Sequence, residues 1–170
     1  GHGGKDPGAN ANGVREKDVN LSIAQKLGLK LQEYGGRVIM TRNSDIFIEL
    51  DNRAAAAEKY KADLLVSIHA DYNEKSSISG ATILVGERAS QKSKKIAQSI
   101  QSELAAVGIE CRGMRAQSLR VCDGHSRPAV LVETGFLSNY QDAKNLDNGW
   151  YQAKIANAIA DGIANYLMNN

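Results

Sequence analysis

Leu64-Leu65-Val66-Ser67-Ile68-His69-Ala70-Asp71 decides how this chain folds. Its apolar or small residues from Leu64 to Ile68 predict a buried strand over 64–69, since so short a run of branched side chains suits a sheet covered on both faces. The strand delivers an imidazole, His69, at its exit. Ala129-Val130-Leu131-Val132-Glu133-Thr134-Gly135-Phe136 repeats the pattern with a carboxylate in that place, and Thr134-Gly135 opens a turn. In open α/β sheets ligands bind beyond the carboxyl ends of the strands, so His69 and Glu133 are expected to face one site. Taken singly neither is distinctive, because a strand-terminal histidine more often satisfies a local hydrogen bond than binds a metal.

Upstream, Glu16 heads a helix in which Val19, Ile23, Leu27 and Leu31 recur every four positions, leaving Lys26, Lys30, Gln32 and Glu33 to water. A carboxylate in a first turn is favourable with the helix dipole without any further role. His2 lies among Gly1, Gly3 and Gly4, and Lys5-Asp6-Pro7-Gly8 follows as turn chemistry. Such backbone lets an imidazole approach a ligand closely, although a histidine so near the start also reads as a frayed end.

The remaining pattern alternates. Strands are predicted over 37–41 and 81–85, and helices over 49–59, 90–107 and 152–168, the last with Ile155, Ile159, Ile163 and Tyr166 as its packing face. Alternation of this kind predicts an α/β fold: a single domain with a mostly parallel twisted sheet and helices on both faces. The 170 residues, 42% apolar and 24% charged, suit one hydrophobic core. A net charge of +2, and only two Phe, one Trp and six Tyr, argue against a nucleic-acid partner. Lys92, Lys94 and Lys95 read as a solvated helix face. No apolar run is long enough for a membrane span. Cys111 and Cys122 could close a small disulfide loop in an oxidising environment or remain free buried thiols.

Two imidazoles and two carboxylates from separate segments suit metal-assisted hydrolysis. Zinc bonds imidazole nitrogen and carboxylate oxygen at about 2.0 to 2.2 Å, and catalytic sites keep three protein ligands with one position open. Two histidines and one glutamate supply three. The other glutamate is then free to take a proton from water whose pKa is lowered to about 7, and to pass it to a leaving amine. No HExxH helix occurs, so the ligands must come together from distant segments.

GHGGKDPGA from Gly1, EKDVNLSIA from Glu16, GGRVIMTR from Gly35, SIHADYN from Ser67 and PAVLVETGFLSN from Pro128 resemble, in that order, the zinc-dependent N-acetylmuramoyl-L-alanine amidases of the type-3 family. The resemblance runs from Gly1 to about Leu167. It implies hydrolysis of the amide joining the lactyl group of N-acetylmuramic acid to L-alanine in peptidoglycan, with another cell-wall amide or peptide bond as the alternative. It assigns His2, Glu16 and His69 as ligands of one zinc ion and Glu133 as the catalytic carboxylate. Peptidoglycan as partner implies work outside the cytoplasm, in the cell wall or periplasm, by a monomer acting as an autolysin or an endolysin.

Three departures carry expectations of their own. The family's hydrophobic strand and Asp-Pro do not precede GHGG here, so a first strand is expected to be absent before Gly1. Val121-Cys122-Asp123 stands where relatives often carry Val-Leu-Arg or Val-Leu-Lys, and nearby His125 becomes a candidate for substrate binding, or else a surface-loop histidine. The short stretch from Gly80 to Glu133 has no room for the helix that plugs the zinc of regulated relatives, which predicts an open site. Arg53 is expected to fix its helix through an ion pair, Asn139 to cap the next helix, and Asp6 to be structural.

Overall fold

Asn12 and Gly13, both at positive φ, turn the chain between β1 (Asn10–Ala11) and β2 (Val14–Arg15), the conformation a two-residue hairpin loop requires. The ribbon leads directly into α1 (Glu16–Glu33). There follow α2 (Leu50–Lys59), β3 (Leu65–Asp71), β4 (Ala81–Val85), α3 (Gln91–Ala106), β5 (Cys111–Ala116), α4 (Arg120–Asp123), β6 (Ala129–Phe136), α5 (Tyr140–Leu146) and α6 (Gly149–Met168). The computed structural model describes residues 1–168.

The main sheet runs β3-β6-β4-β5. β3 with β6 and β4 with β5 are parallel, as the alternating pattern predicts, while β4 joins β6 antiparallel. One face carries Ile68, Ala70, Ile83, Val85, Val130 and Val132 into the larger core, where they meet Val19, Ile23 and Leu27 of α1, Ile96, Ile100 and Leu104 of α3, and Ile155, Ile159 and Ile163 of α6. Each fully buried isoleucine contributes roughly 1.5–3 kcal/mol. α3 and α6 approach closely because Gly162 has no side chain: a Cβ there would lie 2.6 Å from Ile100 Cα. The other face buries Leu84, Ala129 and Leu131 under Val121 and Cys122 of α4, which packs against α2. Helices thus cover both faces.

Several expectations need correction. Residues 37–41 form no ladder among the described residues, although Val38 and Met40 do point inward, onto Gly28 of α1. Period-two patterning records which side chains are buried, whereas a strand also needs a neighbour for its backbone. β3 and β6 do not stop at His69 and Glu133 but run on to Asp71 and Phe136 through an irregularity in their register. α6 begins earlier than residue 152 because Asn148 Oδ1 accepts from the backbone nitrogens of Trp150 and Tyr151, a cap the apolar spacing did not reveal. Both cysteines are free; Cys111 packs against the larger core and Cys122 lies in the smaller, so the sheet itself separates them. Asn139 caps α5 as expected, accepting from Asp142 N at 3.0 Å. No described helix is long and apolar enough to cross a membrane.

Candidate active site

His2 sits at φ 56°, a backbone region that costs a residue with a Cβ and persists where its surroundings over-determine it. The determinants are visible. Gly3 and Asp6 exchange backbone hydrogen bonds of 2.8 and 3.2 Å, and the Arg53 guanidinium donates to the His2 carbonyl at 2.7 Å. Arg42, buried, donates to the carbonyls of Gly1 and Lys17 at 3.0 and 2.7 Å. Asp6 Oδ2 lies 2.7 Å from His2 Nδ1, which turns Nε2 toward Glu16 Oε1 at 3.1 Å.

Glu16 is where the segments meet. Its Oε1 faces His2 Nε2, accepts from Asn20 Nδ2 at 3.1 Å and from Ala70 N at 3.2 Å, and lies 2.8 Å from His69 Nδ1. Oε2 accepts from Ala9 N at 2.8 Å. Burial alone would raise this carboxyl, but the bonds from His2 and His69 hold it far below the usual carboxylate range. His69 is pushed down to about 4, chiefly by burial, so at neutral pH its ring is uncharged and keeps a lone pair. His2 is raised, mainly by its hydrogen bond to Glu16.

Glu133 is the Cα partner of His69 on β3 and of Thr82 on β4. Thr134 Oγ1 clips the two parallel strands by donating to the His69 carbonyl at 2.8 Å. Burial, with the negative charges of Asp71 and Glu16, pushes the Glu133 carboxyl up to about 8. Its Oε2 is buried and has no hydrogen-bond partner among the described residues. A buried acceptor left unpaired costs about 1–3 kcal/mol, so a fold that keeps one at such a place holds it ready for a group that arrives from outside.

His2, Glu16 and His69 thus offer ligand atoms that all lie within 4.8 Å of one another, with Glu133 on the adjoining strand. The donor set fits a divalent cation of the zinc type: two imidazoles, one of them uncharged at neutral pH, and one ionised carboxylate. Asp6 orients the first imidazole as metal-binding histidines require. His125 is not part of this group. It stands near the opposite end of β6, hydrogen-bonded to Val121 O and Arg127 N. α4, between β5 and β6 in the chain, packs on α2, and His2 and His69 keep 25% and 19% of their side-chain surface exposed.

Sequence reasoning missed the supports. Among the described residues Arg53 forms no ion pair but holds backbone carbonyls of His2 and Ile48, and Arg42 and Asn20 were not singled out at all. Their signal would have been polar residues at buried helix or loop positions, which periodicity cannot separate from solvated ones. Gly8 is a further support: at φ +64°, a Cβ would stand 2.4 Å from Glu16 Oε2 and 2.7 Å from the His2 ring. Gly8→Ala is therefore expected to lower metal affinity roughly ten- to a hundredfold, as losses around metal ligands do, with a readout by competition against a chromophoric chelator.

Fold and cluster define an α/β domain with a metal-binding type of His-Glu-His group beside a half-buried carboxyl. The comparisons give the family. Residues 1–165 match the N-acetylmuramoyl-L-alanine amidase family of type 3, and the chain belongs to it. It is 40% identical over 168 residues to the N-acetylmuramoyl-L-alanine amidase LytC of Bacillus subtilis, covering 98% of this chain and 34% of that protein. It is 37% identical over 179 residues to the endolysin of Bacillus phage SPP1, covering 98% of this chain and 64% of that one. The chain therefore spans between about a third and two thirds of the length of these two relatives. Among solved structures, the N-acetylmuramoyl-L-alanine amidase of Clostridium difficile 630 superimposes with a TM-score of 0.94 at 33% identity, covering 100% of this chain and 94% of that one. The catalytic domain of CwlV from Bacillus (Paenibacillus) polymyxa var. colistinus does so with a TM-score of 0.92 at 35% identity, covering 100% and 96%.

Proposed function

We propose that this chain hydrolyses the amide between the lactyl carboxyl of N-acetylmuramic acid and the L-alanine of the stem peptide, as the relatives' names describe, and so acts on peptidoglycan outside the cytoplasm. The observation that carries the reading is the half-buried Glu133, whose Oε2 is buried and has no partner among the described residues, set on the strand beside the His2-Glu16-His69 donors. Those three side chains would hold one zinc ion, whose chemistry is to polarise the scissile carbonyl and to lower the pKa of water to about 7. In its ionised form Glu133 takes the proton of the attacking water and returns it to the alanine nitrogen as the amide C–N bond breaks. Asp6 keeps the His2 imidazole in the orientation this requires, and Arg53 holds the His2 backbone. One copy of the chain carries every residue used, so a monomer suffices.

The test is product analysis on purified peptidoglycan. Muramic acid with a free lactyl carboxyl and peptides with a free L-alanine amine are expected by mass spectrometry, the activity disappearing on chelation and returning with Zn²⁺. Cleavage within the stem peptide, or a rate indifferent to chelator, overturns the reading.

A further inference from the structure

The face of the sheet that carries Glu133 also carries two exposed cations on the far edge strand. In-register neighbours on adjacent strands share a face. Leu131 pairs with Leu84, and Leu84 pairs with Arg115, so Arg115 lies on the same side as Leu131 and Glu133. Met114, one residue earlier, pairs with Ile83 and packs toward the larger core on the opposite side. Arg112 belongs with Arg115: its guanidinium lies 5.8 Å from the ring of Phe136, the residue paired with Asp71 beyond Glu133. Both arginines are exposed, and among the described residues neither forms an ion pair. Arg112 has a 3.4 Å bond to Ser79 O and retains further donors.

These cations face a site whose own floor is acidic, with Asp71, Glu133 and Glu16 gathered on the β3 and β6 side. β5 lies two strand spacings from β6, roughly 10 Å. An extended peptide advances about 3.3–3.6 Å per residue, so an arginine reaching inward from β5 meets a group one to three residues from an amide poised at Glu133.

Building on the amidase reading, we propose that Arg115, assisted by Arg112, is a specificity residue that binds a free carboxylate on the stem peptide close to the scissile L-alanine amide. The guanidinium suits this task, because its fixed fork donates two parallel hydrogen bonds to a carboxylate but not to a carboxamide.

The experiment compares two soluble muramoyl peptides, identical except for an α-carboxylate or a carboxamide on the residue after L-alanine. The metal-loaded wild-type chain is expected to show a kcat/KM roughly tenfold or more in favour of the carboxylate, a preference that shrinks as salt rises. Arg115→Gln should erase the preference by slowing the carboxylate substrate alone, Arg115→Lys should restore part of it, and Arg112→Gln should weaken it. Equal wild-type rates on the two peptides overturn the proposal. So does an Arg115→Gln variant that slows both equally, since a purely structural arginine would act in that way. Hydrolysis of neither peptide at the L-alanine amide overturns the amidase reading itself, a result distinct from the other two.

Discussion

Glu133→Gln is expected to cut hydrolysis of peptidoglycan by a factor on the order of 10² to 10⁴, the range for losing a positioned acid–base group, while the fold and wall binding persist. The amide keeps the volume of the carboxyl and loses only the ability to take a proton. Its effect on stability should have the opposite sign. Burial and the charges of Asp71 and Glu16 raise the Glu133 carboxyl from 4.5 to about 8. A group whose folded pKa is raised contributes stability that is fully present below its unfolded pKa and is lost as pH rises through the folded one. Metal-free wild type should therefore lose stability between pH 4.5 and about 8 from this group. At about 1.4 kcal/mol per pKa unit, the loss amounts to a few kcal/mol. Glu133→Gln should lack that part of the slope and be the more stable protein at pH 9. Urea denaturation of both chelated proteins at pH 5 and pH 9 measures it, beside turbidity loss of peptidoglycan. Unchanged lysis removes Glu133 from the chemistry, and parallel stability curves remove the desolvated carboxyl as their cause.

Glu16→Gln should be nearly as damaging, although it too preserves shape. Every group directed at this carboxylate is either a donor or a metal-facing imidazole: Asn20 Nδ2, Ala70 N, Ala9 N, His2 Nε2 and His69 Nδ1. A carboxamide must place its NH₂ on one of the two sides. Turned outward it opposes Ala9 N–H, and turned inward it opposes Asn20 and Ala70. Either way a buried donor is left without an acceptor, which costs about 1–3 kcal/mol for each group so exposed. With a charged ligand also lost, zinc affinity should fall by at least ten- to a hundredfold and hydrolysis with it. Titration with zinc against a competing chelator, together with thermal unfolding, checks both parts. Asp18→Asn in the same helical turn is the control; its partner Arg15 is at the surface, where substitutions stay within about 0.5 kcal/mol. An Asp18 effect as large as that at Glu16, or tight zinc binding by the Gln variant, contradicts the argument.

The two predictions rest on features of different origin. That residues 65–69 and 129–133 lie in strands, that α1 starts at Glu16, and that α5 is capped by Asn139 are properties of short stretches, legible because apolar period and cap chemistry are local. The four candidate site residues were singled out for another reason: each sits in a motif whose residue types the family resemblance picked out. The strand predicted over 37–41 marks the limit of such reading, since Val38 and Met40 turn inward as the pattern requires while no described backbone pairs with theirs.

By itself, then, the sequence determined the α/β class, the placement of most helices and strands, and the donor types available for a metal. Only the tertiary structure decided that β4 runs antiparallel to β6, that Arg53 and Arg42 grip backbone carbonyls around His2, that Cys111 and Cys122 lie on opposite faces, and that His125 stands away from Glu133. The physical reason is range. Periodicity and capping act over a few residues, whereas desolvation of Glu133 and convergence on Glu16 depend on groups brought together from segments as far apart in the chain as His2 and His69.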